Sequence, residues 1–386
     1  MDFGWSQEQR QLRESAIRFA RAELDRDVAD RDRQGRFPAE EWKRCAEFGV
    51  QGLPIPERFG GQGADLVTTT LVLEALGYGC RDNGLLFSLN AHLWSCALPV
   101  LRFGTPEQQA RYLPPLCAGS LVGVQAVTET GSGSDALRVA TTARAEGDRY
   151  VLSGSKVFIT NAPVAGLFVV LTTVTTAGTG RQGSAAELST FLVERDTPGL
   201  SVGEPVDKLG LHTSPMAEVV LDGCSVPATA RLGGPGAGMA VFTTTIEWER
   251  SFILASAVGT MQRQLEEALS HARGHTRFGR PIGRNQAVAH RLVDMRVRWE
   301  ASRWLLYHLA WLKDQGRRTP LESAMVKLFL SESLVQSSLS AMETFGGYGY
   351  MAGTTQERDV RDALASRIYS GTSDIQRNLI AGLLGL

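Results

Sequence analysis

The sequence predicts an α+β protein in which helices come first, a β region follows, and helices return to the end. Helical periodicity with cap signals runs through residues 1–118. Short β-branched runs bounded by Gly, Ser, Asp or Pro fill 119–230, and helical periodicity resumes over 231–386. These bounds define an N-terminal helical domain, a central β domain and a C-terminal helical domain. A chain of 386 residues is long enough for that division and for a large core.

Taken in order, "SQEQRQLRESAIRFARAEL" opens with a capping-box pattern, Ser6 to Gln9, and then sets Leu12, Ile17 and Phe19 among charges. "LPIPERFGGQGAD" reads as a Pro/Gly loop. "TPEQQARYLPPL" repeats the start signal, with Thr105 as cap, Pro106 at the first helical position and Gln108 three residues after the cap. "RYVLSGSKVFIT", "GLFVVLTTV", "STFLVERD" and "AEVVLDGCSVP" are strands, and "TTAGTGRQGSAAE" (175–187) is a surface loop between two of them. "LGGPGAGMA" (232–240) has the glycine density of a phosphate loop but lacks its Lys-Ser/Thr, so it reads as a domain junction. Trp299, Trp304 and Trp311 fall at helix-packing positions.

Composition excludes several functions. A formal net charge of −1 without charge runs offers no footprint for nucleic acid or an anionic membrane. No apolar run stands out as long enough to span a bilayer, and the N-terminus lacks a signal peptide's apolar segment. Five scattered cysteines without a CxxC suggest reduced thiols and a cytoplasmic location. His271 and His275 sit one turn apart, but no third ligand lies nearby, so no metal is expected. No G-x-S-x-G elbow is present.

One helix carries an anomaly. In "TTTIEWERSFILASAV" (243–258), Phe242, Ile246, Ile253 and Ala257 read as one apolar stripe, with Glu249 in its missing place. A carboxylate there is costly unless it is paired or faces a cleft. On pattern alone it is either a structural acid or a functional one.

Three further stretches decide the reading. "AVTETGSGSD" (126–135) is a loop of hydroxyls and glycines, "KVFITNA" (156–162) puts an aromatic two residues before a threonine, and "RIYSGTSDIQR" (367–377) launches the last helix. With "KLGLHTSPMAEVVLDGCSVP", "RFGRPIGRNQAVAHRLVDM" and "METFGGYGYM" in the same order and spacing, the sequence resembles the acyl-CoA dehydrogenase family. That resemblance covers nearly the whole chain. It implies a β-barrel-like or β-sandwich central domain, a C-terminal four-helix bundle and bound FAD. Gln125, Val127, Thr128, Gly133 and Ser134 would lie by the flavin ring, with Phe158 stacking by it, Thr160 reaching its N5 and Ile159 also contributing. His275, Arg277, Phe278 and Gln286 would bind FAD from a neighbouring subunit, as would Glu343, Gly346 and Gly347, in a dimer or tetramer. Thr372 and Asp374 would close over the cofactor.

The resemblance also has departures. His275 replaces an arginine, Thr130 a proline, His212 an arginine and Glu343 a glutamine. Most members carry the catalytic glutamate where this chain has Ser370, and serine cannot take the proton. A minority places it on the helix just before an arginine, which "EWERS" matches at Glu249-Arg250. The resemblance therefore makes Glu249 the base, with Arg250 supporting it, or alternatively salt-bridged to Glu247. Ser134, Glu247, Ser370 and Gly371 would contact substrate. The implied reaction is α,β-dehydrogenation of an acyl or aminoacyl thioester on CoA or a carrier protein, with an electron-acceptor flavoprotein or dioxygen reoxidising the flavin. The sequence is similar to the branch acting on carrier-bound groups, such as prolyl-carrier dehydrogenases. A standard branched- or medium-chain acyl-CoA dehydrogenase, a flavin oxidase or monooxygenase, and a non-catalytic flavoprotein remain open at this point.

Overall fold

The computed structural model describes residues 4–175 and 187–386. The expected loop at 175–187 thus lies, but for its two end residues, outside the described residues. Around the site the fold is set by one helical run, one sheet and one bundle.

The helical run is Asn83–His92, a π turn Leu93–Ala97, and Leu98–Phe103. The expectation that no segment is long enough to span a bilayer is corrected here. Residues 83–103 reach a mean hydropathy of 1.4, but 83% of that window is buried inside the protein. Its apolar side chains build the core, as in a central helix of a globular domain. His92 ties this run to the sheet. Its Nδ1 accepts from the Gly123 N–H at 3.0 Å, which leaves Nε2 protonated and donating to the Leu116 carbonyl at 3.2 Å.

Burial pushes the His92 pKa down to about 4 from 6.5. Between those values the unfolded chain holds the proton and the folded one does not. The stabilisation is therefore complete above pH 6.5 and is lost on acidification toward pH 4, by about 3 kcal/mol. Asp362, raised to about 6 by burial, acts with the opposite sign. We expect urea midpoints of wild type to fall relative to those of His92→Gln as pH drops from 7.5 to 5. Parallel curves for the two proteins would refute this.

The strands of the central region are β1 (Gly123–Ala126), β2 (Thr142–Glu146), β3 (Arg149–Thr160), β4 (Leu167–Thr175), β5 (Glu187–Glu194), β6 (Leu200–Val202), β7 (Met216–Pro227) and β8 (Arg231–Leu232). They join in one sheet in the order β6-β7-β3-β2-β4-β5-β8, with β1 parallel to β4. The unbroken apolar run in β4 follows from burial on both faces. Phe168 and Val170 enter the core within the β region, while Leu167 and Val169 join the helical core. Gly238 opens the next helix because the chain passes close to β5, where a Cβ would stand 2.1 Å from the Leu188 carbonyl oxygen.

The helices Gly238–Phe252, Ala255–Gly274, Gln286–Asp314 and Pro320–Phe345 form the C-terminal bundle. Helix Ala255–Gly274 crosses Leu66–Gly79 at backbone contact. A Cβ on Gly259 would meet the Glu74 carbonyl oxygen at 1.9 Å. Of the three tryptophans expected to pack, Trp299 is buried, at 7% exposure. Trp304 and Trp311 are 43% and 45% exposed on the outer face of the same helix.

The apolar stripe is also revised. The helix breaks after Phe252, and its buried face is Val241, Thr245, Trp248 and Phe252. Phe242, Ile246 and Glu249 form the neighbouring, half-buried stripe. Glu249 is thus half-buried beside the packed face rather than in the core.

Candidate active site

Trp248 and Phe252 pack on Trp94, with ring centroids 6.3 and 4.8 Å away, and fix the rotation of the helix Gly238–Phe252. One residue round from Trp248, Glu249 then faces the π turn. Ser95 Oγ donates to its Oε2 at 2.9 Å, and Ser370 Oγ donates to its Oε1 at 2.5 Å. Each carboxylate oxygen therefore holds one hydroxyl. Sequence reasoning missed Ser95 altogether. A π turn aims it inward, and single π turns recur at functional sites, but no composition signal marks one.

Ser370 is thus in direct contact with Glu249. Its backbone has φ 56°, in the left-handed region that non-glycine residues avoid. Gly371 follows at φ 88°, where a Cβ would meet Gln376 Nε2 at 2.7 Å, so glycine is required. The turn is held through its carbonyls. Arg250 Nε donates to Ser370 O at 3.3 Å, and Gln376 Nε2 donates to Ser370 O and Gly371 O at 3.2 and 2.9 Å. Lys327, fully buried, adds a bond to Ser366 O at 2.7 Å. The N–H groups of Ser370 and Gly371 meet no acceptor among the described residues. Two adjacent unpaired donors beside a carboxylate, the first on a strained residue, have the character of an oxyanion-type site.

Arg250 therefore binds a loop carbonyl and does not pair with Glu247. Glu247, two residues from Glu249 and so on another side of the helix, is held by Lys313 Nζ at 2.7 Å and Thr319 Oγ1 at 3.2 Å.

The expected flavin residues gather at the end of β3. Its pairing with β7 slips between Lys156 and Ile159, a bulge that adds a residue at Val157–Phe158. The bulge gives Phe158 φ 59° and turns its ring outward, 63% exposed. Val157 N–H donates to Thr128 O at 2.8 Å, which brings the 126–135 loop beside that ring. The Ile159 side chain is 3% exposed within the sheet core, which leaves its backbone for the site.

A buried pair missed in the sequence sets this loop. Glu129 accepts from Lys156 Nζ at 2.7 Å, from the Ala140 and Thr141 N–H groups at 2.7 and 3.0 Å, and from Thr141 Oγ1 at 2.6 Å. Burial alone would raise the Glu129 carboxyl. The bonds from Lys156, Thr141 and the two N–H groups outweigh it and hold the carboxyl below its usual range. Asn161, with φ 64°, then bonds Ser88 O at 3.1 Å, while Ser88 Oγ bonds Ser214 Oγ at 2.7 Å. These contacts fasten this end of β3 to the helix run that carries Ser95.

The residues expected from a neighbouring subunit lie elsewhere. "RFGR" is a two-residue hairpin turn with φ 52° at Phe278 and 76° at Gly279, a turn that requires positive φ twice. Phe278 is held there at 98% exposure. His275 stacks on His271, which in turn stacks on Phe345, and Arg277 binds the Thr276 carbonyl. Gln286 begins the long helix Gln286–Asp314 at the surface. Glu343 is paired with Arg291 at 3.1 Å. At Gly346 and Gly347 a Cβ would meet nothing. Thr372 spends its hydroxyl as the cap of Ser373–Leu383, and Asp374 pairs with Arg377 at the surface.

A planar ring system needs a face to stack on and neutral donors around its edge. Phe158 presents such a face at a backbone cost, Thr160 follows on the same strand, and the loop joined to it through Thr128 carries the open, uncharged Gly131 and Gly133. The residues fit FAD.

The chain matches the acyl-CoA dehydrogenase N-terminal domain over residues 6–120, the middle domain over 125–224 and the C-terminal domain over 236–384. It is 41% identical over 386 residues to the L-prolyl-peptidyl-carrier protein dehydrogenase of Serratia sp., covering 100% of this chain and 99% of that one. The crystal structure of the prolyl acyl carrier protein oxidase AnaB superposes with a TM-score of 0.95 at 46% identity, covering 99% and 100% of the two chains. PigA with FAD and proline superposes with a TM-score of 0.95 at 40% identity over 100% of each chain. With three family domains, full-length relatives and a site that fits the flavin, the chain belongs to the acyl-CoA dehydrogenase family and is an FAD-dependent oxidoreductase of the acyl-thioester dehydrogenase type.

Proposed function

We propose that this enzyme introduces an α,β double bond into an aminoacyl group, of the prolyl type, held as a thioester on a carrier protein's phosphopantetheine. Glu249 takes the α-proton. Bound FAD supplies the acceptor for the β-hydride. The Ser370 and Gly371 N–H groups stabilise negative charge on the thioester oxygen, and Arg250 holds their turn in place. The observation that carries this is the double hydroxyl clamp on Glu249, with Ser370, at the family's usual base position, touching it at 2.5 Å. The two base positions thus serve one reacting carbon. Ser134 and Glu247 line the route of the arm in this reading, with Glu247 acting through its bond to Lys313.

A carrier-protein substrate is supported by the relatives named above; CoA presents the same arm and is the second reading. The exposed Phe278, Tyr348 and Tyr350 (98, 70 and 72%) support a homo-oligomer in which FAD is shared between subunits. A flavoprotein or dioxygen reoxidises the flavin, and the enzyme works in the cytoplasm in this reading. The test is anaerobic bleaching of the bound flavin by prolyl-loaded carrier and by a panel of acyl-CoA thioesters. Bleaching by the prolyl carrier in a single turnover is the expected result. Bleaching only by acyl-CoA, or by none of them, overturns the carrier reading.

A further inference from the structure

Two helix faces run away from the base in the same direction. On one, Ser95 is followed two turns back by Phe87; on the other, Glu249 is followed by Ile253 and Ala257 beyond the helix break. The aromatic rings of Phe87 and Tyr369 close the space between them, their centroids 4.6 Å apart and their planes at 40°. Tyr369 directly precedes Ser370, so its ring is fixed relative to the carboxylate by the Ser370–Glu249 bond.

Behind the rings lies a cavity of about 40 Å³, walled by Leu86, Phe87, Ile253, Leu254, Ala257 and Tyr369 among others. Neither Glu249, Ser95, Arg250 nor Ser370 lines it, so the ring pair stands between the reacting carbon and the cavity. The polar groups at its far side are spent on one another. Asn83 donates to Asp359 and Asp362 at 2.9 and 3.1 Å, and Asn90 donates to Ser256 at 2.9 Å. What remains open to a ligand is largely hydrocarbon.

We propose that Phe87, braced by Tyr369, is the size limit of the acyl site, admitting compact acyl or aminoacyl thioesters and excluding linear medium chains. The inference rests on the thioester-dehydrogenase reading. Removing the Phe87 ring joins the acyl site to the cavity behind it and lets a straight chain continue along Ile253 and Ala257. A pocket discriminates apolar chains by only 10–200-fold per increment, so the expected gain is of that order.

The experiment uses the FAD-loaded protein with butyryl, prolyl and octanoyl thioesters on one pantetheine arm, for wild type, Phe87→Ala and Phe87→Leu. Alongside kcat/KM, calorimetry measures binding of butyl and octyl thioether analogues, which cannot react. The wild type should prefer the short analogue and the short substrate. Phe87→Ala should raise the octanoyl-to-butyryl ratio, in both binding and kcat/KM, by about 10–100-fold, with Phe87→Leu between. A ratio unchanged from wild type in both variants, with flavin content intact, overturns the proposal, as does wild-type acceptance of the octyl analogue as well as the butyl one. If no thioester reduces any of the three proteins, the dehydrogenase reading fails separately, and the binding ratio still decides the size limit.

Discussion

Replacing Glu249 by glutamine is expected to leave FAD and thioester bound while slowing anaerobic flavin reduction by roughly 10²–10⁴-fold, the usual contribution of a placed general base. The geometry makes this a clean substitution. Ser95 and Ser370 each bring a rotatable hydroxyl to one carboxylate oxygen, and a hydroxyl can turn from donor to acceptor when an amide replaces that oxygen. Glutamine therefore keeps the clamp and removes only the capacity to take the proton. Because Ser370 Oγ already lies 2.5 Å from Glu249 Oε1, a carboxylate grown from position 370 reaches the same α-carbon. Ser370→Glu in the Glu249→Gln background should recover part of the rate. Stopped-flow reduction at wild-type speed in Glu249→Gln would remove Glu249 from the reaction and return its charge to a structural role.

What the sequence makes legible about this site follows how far each signal travels along the chain. Glu249 shows itself because an acid beside an apolar stripe breaks a local period, though the stripe is offset by one residue from the face that is buried. Family spacing points to Phe158 and Thr160 as flavin residues, yet the bulge that turns the Phe158 ring outward has no local mark, since any strand residue can occupy it. Ser95 depends on a π turn, and Glu129 with Lys156 depends on two strand ends meeting; neither arises from a pattern within one segment. The alternation and turn grammar of the β region carry over to β3, β4, β5 and β7 because each is bounded by its own breakers. The tryptophans at 304 and 311 show the opposite limit. A helical period cannot say which of two apolar faces meets its own chain and which is left outward.

Outside the reacting centre, Lys156 should be costly to truncate. It is fully buried, and its ammonium holds Glu129 Oε1 at 2.7 Å and the Val127 carbonyl at 3.2 Å. Burial pulls the Lys156 pKa down, partly offset by Glu129, while Glu129 is held below its ordinary range. Lys156→Ala leaves that carboxylate buried without its cation, a loss of roughly 3–5 kcal/mol. The Ala140 and Thr141 donors remain, so the loop is weakened rather than released. A structural role and a flavin-positioning role separate in the double variant Lys156→Met with Glu129→Gln. A neutral pair of similar volume should regain most of the melting temperature. It lacks the ammonium that fixes the Val127 carbonyl, so FAD should still bind more weakly than to wild type in fluorescence titration. Acid tests the same pair from the other side. A carboxylate with a depressed folded pKa contributes stability above its unfolded value, so this contribution starts to fall below about pH 4.5 and is lost as pH passes the folded pKa. A Lys156→Ala protein with wild-type melting temperature and full flavin content would show that the buried pair neither stabilises the domain nor shapes the loop that meets the flavin.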